Sequence, residues 1–178
     1  MDVMVDLETL STRSWASILV IGAIKFNLDE PVIPLEKLSS ENQFYRRITL
    51  ESNREIGLHE DSETKKWWDT QPEEVRKEAF EGVRFPLKRV LEEFTAWFGK
   101  STRLWCQGAN FDAPILDEAY RRFGLTPPWK FWNVRDTRTL YFICGGNETT
   151  DKSNLHNALF DCQRQITAVK TGWKKVKS

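Results

Sequence analysis

Net charge is the first thing this chain lacks: 26 Lys plus Arg balance 26 Asp plus Glu over 178 residues. A neutral chain has no broad basic field with which to hold nucleic acid, although a site carrying its own metal cations stays open to it. Long apolar runs are missing too. The longest uncharged one, Ile18 to Ile24, falls far short of the ~20 residues that span a bilayer. No basic region precedes an apolar stretch at the N-terminus, so no secretory signal and no membrane partner are expected, and the chain reads as intracellular. Cysteine is scarce: Cys106, Cys144 and Cys162 are an odd number without metal-ligand spacing, which points to reduced packing residues and not to a disulfide framework. Repeats, low-complexity tracts and dividing linkers are absent. The length suits one domain, residues 1–178, with Lys174 to Ser178 expected to fray. A chain of this size buries about 70% of its unfolded surface and needs no disulfide or structural metal to fold.

Tryptophan is what the chain has in excess, with eight; each is a candidate for the core or for a face on which something flat stacks. Hydropathy patterning gives the order of elements. From Asp2 to Glu8, Val3, Val5 and Leu7 alternate with Met4, Asp6 and Glu8 as in a half-buried strand. Ile18 to Phe26 is a β-branched run suited to a strand covered on both sides, and Gln43 to Ile48 offers a third. The period then changes, with Leu87, Val90, Leu91, Phe94, Trp97 and Phe98 predicting a helix over 86–98 stopped by Gly99. Arg103 to Gln107 is a short strand. Ile115, Leu116, Ala119, Tyr120 and Phe123 mark a helix with Pro114 in its first turn and Gly124 at its end. Phe131 to Arg135 offers a fifth strand, followed by a short helix from Thr137 that breaks at Gly145 and Gly146. Leu155, Ala158, Leu159, Cys162, Ile166 and Val169 define a last long helix. Strands grouped first, then alternating with helices, imply an α/β fold with one mixed sheet flanked by helices.

Asp6 and Glu8 share one strand face about 7 Å apart, where two carboxylates raise each other's pKa unless a cation neutralises them. Taken alone, an Asp-x-Glu pair is the solvated face of a strand. Asp112 follows a strand ending near Gly108, at the carboxyl edge of the sheet where ligands of open α/β sheets bind; its plainer role is a helix N-cap. Asp161 borders the apolar face of the last helix. His156 lies five residues before it, about 140° around a helix, so the two approach one site only from different angles, with His156 in a first turn after Ser153 or Asn154. His59 reads as surface, Asp136 as support for the helix from Thr137, and Lys170, Lys174, Lys175 and Lys177 as a solvated helix end.

Together these residues carry a resemblance. Asp6-Leu7-Glu8-Thr9, Asn110-Phe111-Asp112 and His156-Asn157-Ala158-Leu159-Phe160-Asp161 resemble, in order and spacing, the three motifs of the DEDDh group of DnaQ-like 3′–5′ exonucleases. Trp67-Trp68 with Gln71, Trp105 with Gly108, and the run Trp132-Asn133 to Leu140 resemble a smaller subgroup of phage exonuclease A-type enzymes and small mycobacterial-type exoribonucleases. The likeness covers residues 1 to about 170. Two departures bear on substrate preference: Trp15 stands in what is commonly a polar loop, and Phe160 occupies an often acidic position.

The resemblance implies a ribonuclease H-like fold with a mixed five-stranded sheet and phosphodiester hydrolysis by two divalent ions, Mg²⁺ or Mn²⁺, which favour hard oxygen ligands. Asp6 would bridge the ions, Glu8 and Asp161 would complete one site, and Asp112 would hold the other ion. His156, with a reference pKa near 6.5, would be the general base. Single-stranded 3′ ends of DNA or RNA, or short oligonucleotides, are the expected partners. Leu7, Thr9, Asn110 and Phe111 would contact the terminal nucleotide, and Trp15, Trp67 and Trp68 are candidates for stacking. Adjacent Trp67 and Trp68 point about 100° apart in a helix, so only one of them faces a pocket. Relatives of this size are often homodimers, and the aromatic surplus is compatible with such an interface; a phage or mobile-element origin and a housekeeping one fit the composition equally. Two alternatives remain: a ribonuclease H-like endonuclease, which a circular substrate would reveal, and an idle nucleic-acid-binding or interaction module of the same fold, which metal ions would not stabilise.

Overall fold

A computed structural model describes residues 1–108, 110–146 and 156–178. In chain order it contains β1 (Asp2–Thr9), β2 (Ile18–Phe26), β3 (Gln43–Ile48), α1 (Leu50–Glu55), α2 (Ser62–Asp69), α3 (Glu73–Phe80), β4 (Arg84–Phe85), α4 (Leu87–Phe98), β5 (Arg103–Cys106), α5 (Asp112–Arg122), β6 (Val134–Asp136), α6 (Thr137–Ile143) and α7 (Ala158–Lys177). The six strands form one mixed sheet in the order β4-β3-β2-β1-β5-β6. The first three strands are an antiparallel meander, while β5 and β6 run parallel to β1. The architecture is the expected α/β one. The sixth strand is the two-residue β4, paired parallel to β3 at Arg47 and Ile48, too short to leave a period in the sequence. Phe131–Asn133 is a 3-10 turn that leads into β6, so the strand expected at 131–135 begins three residues later.

β1 is the central strand, and both of its faces are covered; it is not half-buried. Val3, Val5 and Leu7 enter a core completed by Leu87, Val90, Leu91, Phe94 and Phe98 of α4 and by Ile115, Leu116 and Tyr120 of α5. Met4, on the opposite face, packs with Ile24, Trp105 and the Cys162, Ile166 and Val169 stripe of α7. A third cluster joins Leu10, Leu19 and Val20 to Trp68 of α2, Ala79 of α3 and Ala158 of α7. Asp2 is buried but bidentate to Arg103, at 2.5 and 3.0 Å, which fastens β1 to β5. All three cysteines are free, and burial pushes the thiols of Cys106 and Cys162 up, so they stay protonated.

Helix α7 starts later than its apolar period suggests. Asn157 is its N-cap, accepting from the amides of Leu159 and Phe160 at 3.1 and 3.3 Å, so His156 precedes the helix; Ser153, Asn154 and Leu155 lie outside the described residues. At its far end the helix continues to Lys177, where Lys177 Nζ and Trp173 Nε1 both donate to Asp29 Oδ1. Lys170 is not on a solvated face. It is buried, and its ammonium donates to the carbonyls of Glu30 and Pro31 at 3.0 and 2.9 Å. Among the described residues no helix is long and apolar enough to cross a membrane.

Where α7 crosses the sheet it touches backbone. A Cβ on Gly22 would stand 2.4 Å from Ala158 Cβ and 2.8 Å from its carbonyl carbon, and Cys162 Sγ reaches the Gly22 carbonyl. Gly22 pairs with Asp6 across β2 and β1, so this contact sets the height of α7 above Asp6. Gly22→Ala should therefore lift the helix and destabilise the protein by about 1–3 kcal/mol, as overpacking does. Thermal denaturation of the variant would show it; an unchanged melting temperature would mean that α7 is free to shift.

Candidate active site

The face of β1 that carries Asp6 and Glu8 lies under the start of α7, which brings in Asp161. One carboxylate oxygen from each of these three residues lies within 4.8 Å of the others. Glu8 and Asp161 are buried and Asp6 is half-buried. Desolvation is the main force pushing all three carboxyls up; Asp112 and Asp161 add repulsion at Asp6, and Asp6 does so at Glu8. Asp112, at the start of α5, stands outside the three but close enough to raise Asp6. It accepts from the Leu7 amide at 3.2 Å, and burial lifts its own pKa to about 7. Its side chain thus ties α5 to the neighbouring β1 strand, where an N-cap would have bonded within its own helix.

The chemistry of this donor set fits a hard divalent cation: the facing ligand atoms are all carboxylate oxygens, held where water cannot neutralise them. An orphaned acceptor supports the fit. Gln165 is buried, its Nε2 donates to Asp6 Oδ1 at 2.8 Å, and its Oε1 has no partner among the described residues. An amide in that position can steer a carboxylate ligand. Gln165 was legible as the polar residue one turn after Asp161, inside the stripe of Cys162, Ile166 and Val169. Arg164, which pairs with Asp161 Oδ1, was legible only as an i+3 neighbour.

His156 sits beside this cluster with φ 65°, a left-handed conformation that costs a non-glycine residue of order 1 kcal/mol. Its amide donates to Asp161 Oδ2 at 3.0 Å, which holds the turn. Its ring meets Trp67 edge-on at 4.9 Å and Trp68 at 6.3 Å. Burial lowers its pKa, against an opposing pull from Asp161, so the imidazole is neutral around pH 7.

Next to Glu8 opens a cavity of about 490 Å³ lined by Leu7, Glu8, Thr9, Thr12, Asp61, Glu63, Thr64, Trp67, Trp68 and Phe111. Trp68 is 2% exposed and its Nε1 donates to the Thr9 carbonyl at 2.9 Å, whereas Trp67 is 41% exposed. One tryptophan is wall and the other is an open face. Asn110 and Trp15 are exposed and do not line the cavity. Trp15 packs instead edge-on against His59 at 6.1 Å. His59 is not a free surface residue. Its Nδ1 shares a hydrogen bond with Ser11 Oγ at 2.8 Å, and its backbone bonds to Trp15 and Ser17. This stitches the loop after β1 to the segment entering α2, where Asp61 caps the helix that bears both tryptophans. Asp61, Glu63, Thr64 and Thr12 gave no signal in the sequence, because only this stitching brings them to the cavity. Asp136 caps α6 through the Arg138 amide at 2.9 Å and also accepts from the Gly108 amide at 3.1 Å.

A mixed sheet of this order, flanked by helices, is compatible with a ribonuclease H-like fold. The chain belongs to the Rv2179c-like 3′–5′ exoribonuclease domain family, whose model matches residues 1–173. It is also similar to an exodeoxyribonuclease of Enterobacteria phage T4, with 24% identity over 202 residues, covering 95% of this chain and 87% of that protein. The chain is accordingly a nuclease that acts on nucleic acid.

The raised carboxyls make a testable link to pH. An unfolded chain releases these protons near pH 4, whereas the fold keeps them to higher pH, in the case of Asp112 to about 7. Across that window the folded state binds more protons, so these groups make stability fall as pH rises. His156 acts the other way below 6.5, as one group against four. The melting temperature measured in chelator should decline from pH 5 to 8, and decline less in Asp112→Asn. A rise across that range would contradict the desolvated cluster.

Proposed function

We propose that the protein is a DEDDh-type 3′–5′ exonuclease that removes nucleoside 5′-monophosphates one at a time from single-stranded 3′ ends or short oligonucleotides. The observation that carries this reading is the three-carboxylate cluster beside His156, whose ring packs on the tryptophans of a cavity that Glu8 also lines. Asp6, Glu8, Asp112 and Asp161 would hold two divalent ions, Mg²⁺ or Mn²⁺. When bound, such ions supply Lewis-acid activation of the attacking water and charge stabilisation at the leaving oxygen.

The chain's own residues do the rest. An imidazole nitrogen of neutral His156 accepts the proton of the attacking water, and the bond from its amide to Asp161 keeps the ring beside the carboxylates. Thr9, Leu7 and Phe111 border the terminal nucleoside, and the Trp67 ring stacks on its base. Asp6 is oriented by Gln165, and Asp112 by the Leu7 amide. Cavity and cluster open beside one another, which suits a strand end. The family description names RNA and the phage relative's name implies DNA, so both sugars belong in the first assay.

That assay uses 5′-labelled single-stranded RNA and DNA of matched sequence with Mg²⁺ or Mn²⁺, beside a chelator control, a circular substrate and Asp161→Ala. The expected result is a ladder shortening from the 3′ end, abolished by chelator and by the substitution. Cleavage of the circle would replace the exonuclease by an endonuclease, and no cleavage together with no metal-induced rise in melting temperature would leave an idle binding module. His156→Ala should keep that metal-induced rise and lose turnover by roughly 10²–10⁴-fold; undiminished activity across neutral pH would remove His156 as the base. Trp67→Ala should weaken substrate binding by about 1–3 kcal/mol, the range for stacking on one base, whereas Trp15→Ala should leave KM unchanged. Equal effects in the two variants would argue against stacking in this cavity.

A further inference from the structure

Two arginines approach the carboxylates from helices that contribute nothing to the aromatic cavity. Arg164, on α7, is the cation that pairs with Asp161, and its charge also reaches Asp6 and His156. Arg138, near the start of α6, comes from the sheet edge: its Nη1 would stand 2.9 Å from a Cβ on Gly108, and its charge acts on Asp112. Both charges reach Tyr141, whose hydroxyl joins α6 to the Gln165 carbonyl of α7. None of the residues lining the aromatic cavity comes from either helix. Arg164 is 23% exposed on its side chain and Arg138 is exposed, so both remain accessible to a ligand.

With a terminal nucleoside in the aromatic cavity and its phosphate at the carboxylates, the next linkage would lie within one nucleotide of the carboxylates that Arg164 and Arg138 approach. A guanidinium is a planar fork of donors that matches the oxygens of a phosphodiester. Asp161 receives Arg164 on Oδ1 and the His156 amide on Oδ2, so both of its oxygens are engaged before any cation arrives. A divalent ion on Asp161 competes with Arg164 for the same charge. Resting on the nuclease reading above, we propose that Arg138 and Arg164 form a subsite for the phosphodiester on the 5′ side of the scissile linkage, and that Arg164 exchanges Asp161 for this phosphate when the carboxylates take up metal.

The test compares the full-length protein with Arg164→Gln, Arg164→Lys and Arg138→Gln, in two measurements that need no turnover. One follows melting temperature during Mn²⁺ titration without nucleic acid. The other follows binding of a fluorescent single-stranded oligonucleotide with phosphorothioate linkages at its 3′ end, in Mn²⁺ and at several salt concentrations. Arg164→Gln should respond to Mn²⁺ at a roughly twofold to fivefold lower concentration, the range for loss of a competing ion pair. Each glutamine variant should bind the oligonucleotide roughly tenfold more weakly, as expected for a lost charged hydrogen bond. The slope of log affinity against log salt should become shallower by about 0.7, the value for one phosphate contact on a single strand. Arg164→Lys should restore the slope and only part of the affinity. Unchanged affinity and slope in Arg164→Gln, with wild type binding normally, would overturn the subsite and leave Arg164 a structural counter-ion of Asp161. If wild type itself neither responds to Mn²⁺ nor binds the oligonucleotide, the nuclease reading fails first and the subsite falls with it.

Discussion

Asp6, Glu8 and Asp161 are held under one helix with oxygens within 4.8 Å of one another, and both desolvation and mutual repulsion drive them toward the neutral form. What the described residues offer against this is limited: the Gln165 amide at Asp6, the His156 amide and the Arg164 guanidinium at Asp161. Glu8 is raised with no opposing hydrogen bond or cation among its causes. Such a cluster opposes folding at neutral pH, so the surrounding packing has to hold it closed. The rest of the architecture follows from that requirement. β1 is placed centrally, with hydrogen-bonded neighbours on both sides and apolar cores on both faces, so its carboxylates cannot move apart by bending the strand into solvent.

Closeness is set by the helix above as much as by the strand below. Gly22 lets α7 approach to backbone contact beside Asp6, and the Asn157 cap fixes where the helix begins. The start matters because it leaves His156 outside the helix. A histidine five residues before Asp161 on a regular helix would point about 140° away. The left-handed turn at His156 removes that conflict, and its amide reaches back to Asp161. The conformational strain is therefore tied to the same carboxylate that depends on it.

Much of this was legible in the residues, and the exceptions share a cause. The alternation Met4, Asp6, Glu8 and the stripe Cys162, Ile166, Val169 place two elements, and the short strand ending near Gly108 puts Asp112 at the sheet edge. Periodicity finds elements long enough to repeat, so it passed over β4, with two residues, and the short helices between 50 and 80, whose apolar faces are narrow. It also reads a lysine or histidine as solvated unless a partner is visible. Lys170 is buried because carbonyls of Glu30 and Pro31 come to meet it, and His59 is engaged because the loop after β1 returns past Ser11. Those partners are 139, 140 and 48 residues away along the chain, beyond the reach of any local pattern. Asp112 illustrates the same limit: its position was readable, but its acceptance of the Leu7 amide in place of a helix cap depends on the neighbouring strand.

The contact between Trp67 and His156 gives the proposed chemistry an internal order. Trp67 is 41% exposed and lines the cavity, while its ring lies 4.9 Å from the imidazole centre. On the proposed reading, a base stacked on Trp67 would displace water from the tryptophan and reduce it around the histidine in edge-on contact with that ring. Desolvation already lowers the His156 pKa, and further loss of water pushes in the same direction, because the charged imidazolium is the form that water stabilises. On this reading the imidazole is most fully neutral, and so most able to accept a proton, when the cavity is filled. Recognition of the strand end and readiness of the base then depend on one aromatic contact, with α2 as the element that positions it.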